Sequence, residues 1–202
     1  MDESFVTILF SDLVGSASLF ARQGDEAADA VRREHFATLR SAVAEHGGRE
    51  VKSTGDGLMV AFPSAVAAVR CAVDMQRATA AGSAGLELRV GLDAGEPLPD
   101  GEDLYGMPVI VASRLCELAG VGEILASEVV GRIAGPRVQE AIHPAGAFKL
   151  RGVGGRVGAV RVQWREEVAG DQRAHEPDPA PHAITVVIAD DQHLVRTGFR
   201  VI

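Results

Sequence analysis

Up to residue 94 the apolar residues switch between strand spacing and helix spacing in an order that few folds accommodate. Phe5–Ser11 is a strand-length apolar run rich in β-formers. Asp25–His46 places Ala28, Val31, Phe36, Leu39, Ala42 and Val43 on one helical face, and Gly47-Gly48 stops it. Glu50–Ser53 and Leu58–Phe62 flank Thr54-Gly55-Asp56-Gly57, whose glycines suit a tight antiparallel turn. Ser64 is placed to cap a helix running to Ala80, and Leu86–Ala94 is the next strand. The order β-α-β-β-α-β predicts an α+β, ferredoxin-like core: one antiparallel sheet with helices on a single face. A C-terminal α/β extension follows, with a helix at Met107–Ala119, a short strand at Glu123–Ala126, a helix at Ser127–Ile133 and a last strand at Gly158–Trp164.

The pattern breaks near the C-terminus. Residues 166–183 hold five acids and three prolines with almost nothing to bury, so they read as an extended acidic, Pro-rich linker. The expected division is 1–165 as a catalytic-size domain, 166–183 as linker and 184–202 as a strand–helix stub. With 20 Lys plus Arg against 28 Asp plus Glu, the net charge is −8, which argues against a nucleic-acid or anionic-membrane surface. Two distant cysteines make neither a disulfide framework nor a zinc site, and the N-terminus has no basic leader; a cytoplasmic protein is expected.

Topology then places two carboxylates. The third strand of such a core lies antiparallel beside the first, so Asp12, after strand one, comes near Asp56, in the turn before strand three. Oxygen pairs of this kind suit Mg²⁺, which takes one or two carboxylates together with substrate phosphates. Asp12-Leu13-Val14-Gly15-Ser16 leads from strand towards helix and offers backbone N–H groups to an anion. Taken singly, each aspartate also reads as a solvated turn residue.

Five segments in order resemble the class III nucleotidyl cyclases, the adenylyl and guanylyl cyclase catalytic domains: TILFSDLVGS (7–16), EVKSTGDGLMVAF (50–62), RVGLDAGEPL (89–98), DLYGMPVIVASRL (103–115) and GEILAS (122–127). The resemblance implies attack of a ribose 3′-oxygen on the α-phosphorus of a nucleoside triphosphate. It implies two Mg²⁺ or Mn²⁺ ions held at Asp12, Leu13 and Asp56, with Val14, Gly15 and Ser16 beside the phosphates. Lys52 and Asp103 match the pair that selects the base. An ammonium donates to adenine N1 and a carboxylate accepts from its 6-amino group, so the implied substrate is ATP rather than GTP. Without the resemblance, Lys52 reads as an exposed lysine pairing Glu50, and Asp103 as part of an acidic loop. Arg114 matches the arginine that stabilises the transition state, and otherwise reads as an interfacial helix residue. Arg151 matches a residue that binds the terminal phosphates, with Lys149 the neighbouring candidate.

One position departs from the family. Four residues before Arg114, where asparagine normally orients the ribose, stands Ile110, which offers no hydrogen bond. Slow or conditional adenylyl cyclase activity is the reading; a catalytically weak nucleotide-binding regulatory module is the alternative. The family's site forms between two subunits, so one chain carrying both residue sets implies a head-to-tail homodimer. Cys71 and Cys116, within apolar helical stretches, read as small buried hydrophobes. The segment 184–202, with Asp190-Asp191, resembles the opening of a response-regulator receiver domain without its later strands, as in a fragment of a longer chain.

Overall fold

The computed structural model describes residues 5–15, 24–82 and 84–165. The expected linker and receiver-like stub, and Ser16, lie outside the described residues. The elements are β1 (Val6–Val14), α1 (Asp25–Glu45), β2 (Arg49–Ser53), β3 (Gly57–Phe62), α2 (Ala65–Ala81), β4 (Glu87–Gly95), β5 (Leu98–Asp100), β6 (Asp103–Tyr105), α3 (Met107–Leu118), β7 (Ile124–Ser127), α4 (Glu128–Ala134), β8 (Ala141–Phe148) and β9 (Val157–Gln163). Seven strands form one sheet in the order β2-β3-β1-β4-β7-β9-β8, and β5 and β6 form a separate hairpin.

The predicted β-α-β-β-α-β core is present, and β3 lies antiparallel beside β1. Strand alternation divides the sheet into two faces. Leu9, Leu58, Val60, Phe62, Leu88, Val90 and Leu92 meet α1, α2 and α4 in the main core, through Phe36, Leu39, Val69, Met75 and Val130. Ser64 caps α2 as expected, its hydroxyl accepting from Ala67 N–H at 3.4 Å. The opposite face, with Val6, Ile8, Met59 and Ala61, is covered around Ala112 of α3.

The two core helices α1 and α2 share one face as expected, and α3, from the C-terminal extension, adds a second layer on the other. Helix α3 crosses from β4 to the parallel strand β7 on the far side. The reason is Gly91: a Cβ there would collide with the backbone of Ala112 and Cys116, so only glycine lets α3 lie directly on β4. The β5–β6 hairpin and β8 are strands the apolar pattern did not reveal. Among the described residues, no helix is long and apolar enough to cross a membrane.

Candidate active site

Asp12 and Lys52 lie on the sheet face that α3 covers, and Ile110 and Arg114 lie on α3 itself. Strand β1 does not stop at Ser11 as its apolar run implied but continues through Val14. Asp12 therefore sits inside the ladder, opposite Gly57 of β3 on one side and Arg89 of β4 on the other. Its parity matches Ile8, which turns it to the α3 face.

The turn carrying Asp56 closes onto this point. Thr54 N–H donates to Gly57 O at 2.9 Å, and Leu13 N–H donates to Asp56 O at 3.0 Å. A side chain at Gly57 would strike the carbonyl of Ser11, so the close approach of turn and strand depends on that glycine. The expected juxtaposition of Asp12 and Asp56, 44 residues apart, is thus made by backbone contacts at one strand end. The Leu13 amide, expected to be open to an anion, is used by this contact, and Val14 sits in register opposite Glu87. Gly15, the exposed residue after the strand, begins the turn at φ 87°.

Asp12 has a partner that the spacing did not suggest. Arg89 Nε and Nη2 both donate to Asp12 Oδ2, at 2.8 and 2.6 Å, and Arg89 Nη1 donates to the carbonyl of Glu117 at 3.2 Å. Arg89 is the one basic residue of the strand segment LELRVGLDA, but nothing in the spacing names Asp12 as its partner. The same face holds Asp93, whose carboxyl is pushed up by burial, against the opposing hydrogen bond from the Ser127 hydroxyl.

Lys52 and Asp103 meet. Lys52 Nζ lies 2.5 Å from Asp103 Oδ2, with both side chains about half exposed at 45%. The Lys52 hydrogen bond, reinforced by Leu104 N–H, holds the Asp103 carboxyl below its ordinary value. Glu50 is not the partner of Lys52. It forms a fork–fork pair with Arg40 of α1 at 2.7 and 2.8 Å, on the other side of a bulge between Glu50 and Lys52.

On α3, Ile110, Arg114 and Glu117 follow one another along one helical stripe. Ile110 is exposed, Arg114 Nη1 is hydrogen-bonded to the Glu117 carboxylate, and Arg114 Nε is buried without a hydrogen-bond partner. Arg151 is exposed in the turn between β8 and β9, next to Leu150, which is buried against Val111 and Leu115 of α3; no described hydrogen bond or ion pair joins it to the other candidates. Cys71 and Cys116 are buried and unpaired with each other, and burial pushes both thiols up to about 12.

No group of three or more His, Cys, Asp or Glu side chains converges among the described residues. The candidate donors are the carboxylates of Asp12 and Asp56, two residues that a backbone contact brings to one strand end. That set fits a hard divalent ion completing its shell with substrate phosphates, not a structural ion caged by protein alone.

Comparison with known proteins agrees with this architecture. The adenylate and guanylate cyclase catalytic domain model matches residues 2–163. Putative adenylate cyclase 3 of Rhizobium meliloti is 37% identical over 127 residues, covering 60% of this chain and 22% of that protein. Serine/threonine-protein kinase pkn2 of Myxococcus xanthus is 31% identical over 168 residues, covering 80% of this chain and 20% of that protein. The chain thus spans about a fifth of the length of these curated relatives. Among solved structures, the adenylate/guanylate cyclase/hydrolase of Silicibacter pomeroyi superposes with a TM-score of 0.68 at 28% identity, covering 79% of this chain and 96% of that one. The adenylyl cyclase CyaB of P. aeruginosa, at 23% identity and a TM-score of 0.69 over 81% and 95% of the two chains, shares the fold. The chain belongs to the adenylate and guanylate cyclase catalytic-domain family.

Proposed function

We propose that this domain is an adenylyl cyclase that converts ATP to 3′,5′-cyclic AMP and pyrophosphate. The observation that carries the reading is the Lys52–Asp103 contact on the sheet face that also holds Asp12. A lysine can only donate and a carboxylate only accept, which complements adenine N1 and its 6-amino group and mismatches guanine at both. Bond formation joins the ribose 3′-oxygen to the α-phosphorus, the α–β phosphoanhydride bond breaks, the 3′-hydroxyl proton passes to solvent, and pyrophosphate leaves with the bonding electron pair.

Asp12 and Asp56 would hold Mg²⁺ or Mn²⁺, with Leu13 beside them. When bound, these ions supply the charge that lowers the pKa of the 3′-hydroxyl and neutralises the triphosphate. Val14, Gly15 and Ser16 border the phosphates in this reading. Arg114 neutralises negative charge on the oxygens of the pentavalent α-phosphorus, and Arg151 or Lys149 meets the terminal phosphates. The site is shared by two copies arranged head to tail. Exposed Leu98, Tyr105, Met107, Ile110, Leu118 and Val121 on β5, β6, α3 and the loop after it give a second copy an apolar surface to cover.

Ile110 favours a second reading. One turn before Arg114 it presents a hydrocarbon where the reaction calls for a polar group, as in a weakly active nucleotide-binding module. One assay separates the two. Purified protein is given ATP or GTP with Mn²⁺, and cyclic nucleotide is measured beside Asp12→Ala. Cyclic AMP above that control is the expected result. ATP binding without product would leave the regulatory module, and preference for GTP would overturn the base assignment.

A further inference from the structure

Within one chain, the last turn of α3 links the two residue sets through one residue. Glu117 binds Arg114 Nη1 with its carboxylate and accepts Arg89 Nη1 at its backbone carbonyl, 3.2 Å away. Arg89 in turn grips Asp12 Oδ2. That carbonyl is one of the last four of the helix, which have no intrahelical partner, so Arg89 satisfies it and sits at the negative end of the helix dipole. Arg114 has no such backing. Its Nε is buried without a hydrogen-bond partner, and among the described residues Glu117 alone is seen to hold its guanidinium.

We propose that Glu117 is a positioning residue for the cyclase reaction: it orders the Arg114 guanidinium and ties that helix turn to the Arg89–Asp12 pair. The proposal rests on the reading of Arg114 as the transition-state arginine. An arginine reaching its target through several rotatable bonds loses much of its effect if those bonds must be frozen during the reaction. A carboxylate one helical turn away freezes them beforehand, while the guanidinium keeps other N–H groups for a phosphate. The two attachments are chemically separable. The carboxylate can be removed by substitution; the carbonyl that caps α3 on Arg89 stays.

The test uses the full chain as wild type, Glu117→Gln and Glu117→Ala, with Arg114→Lys to assign the arginine signal. Arg114 Nε–Hε is followed by ¹H–¹⁵N NMR, and cyclic AMP formation is measured against ATP and Mn²⁺ concentration. Glu117→Ala is expected to broaden the Arg114 signal and lower kcat about tenfold, with KM for ATP and the Mn²⁺ midpoint within about twofold of wild type. Glu117→Gln, whose amide oxygen still accepts one N–H, should fall between. Glu117 is half exposed, so both variants should fold; if the alanine form does not, the glutamine form decides. An unchanged Arg114 signal, an unchanged or raised kcat, or a loss confined to KM would overturn the proposal. A wild type that makes no cyclic nucleotide would defeat the catalytic reading instead, and the NMR comparison would still decide whether Glu117 orders Arg114.

Discussion

Arg89 places two nitrogens, Nε and Nη2, on the same oxygen of Asp12 across directly paired positions of β4 and β1. Each side chain is about one-third exposed, so solvent discounts the pair, but the third contact, to the end of α3, adds a helix cap. Arg89→Met should cost about 1–2 kcal/mol of stability, more in dilute buffer than in molar salt. Urea denaturation at two salt concentrations measures this. A loss indifferent to salt would mean that the pair contributes through packing alone.

Ile110 and Arg114 are one turn apart on the exposed stripe of α3. Ile110→Asn should therefore raise turnover about ten- to hundredfold at unchanged fold stability, the worth of one restored orienting hydrogen bond. Steady-state kinetics read it directly. An unchanged kcat would show that something other than this position limits the rate.

Gly91 is where α3 rests on β4. Gly91→Ala drives a methyl group into backbone atoms of Ala112 and Cys116, which cannot rotate away. The variant should lose about 1–3 kcal/mol or more and lower activity by displacing Arg114 and Glu117 together. A thermal midpoint within a degree of wild type would contradict the contact.

Two buried groups give stability opposite slopes with pH. His35 is buried in α1 and burial lowers its pKa, so the unfolded chain takes up a proton at about 6.5, before the folded one does. Stability should fall as pH drops below 6.5, and His35→Leu should remove that fall. Asp93 is raised by burial, so its contribution is lost as pH rises above 3.8 towards its folded value. Asp93→Asn should stabilise the protein at neutral pH and give no gain below 3.8. Denaturation midpoints across pH 3–8 of the two variants and wild type, a range of about five units, test both signs.

The core was legible because its signals were local. Phe36, Leu39 and Val43 repeat at helix spacing, and Leu58–Phe62 is a run that is buried throughout. Strand β8 was not, because Pro144 and Gly146 interrupt it at a bulge and most of its residues are exposed. The end of β1 was misplaced for an instructive reason: a charged Asp12 looks like the end of an apolar run until Arg89 is seen across the ladder. The same holds for the site. The meeting of Asp12 with the Asp56 turn followed from topology, but Glu117 and Arg89 acquire meaning only once α3 is laid on β4, a placement that one glycine permits and no periodicity announces.

The two faces of the sheet carry separate duties: helices α1, α2 and α4 bury the main core on one, and the charged candidates cluster beside α3 on the other. A substitution such as the one at Ile110 alters the chemical face without removing a contact from the main core. Quality control in the cell reads folding, not turnover. A domain built this way can lose or keep turnover while remaining folded and abundant, so a healthy expression level says nothing about catalysis.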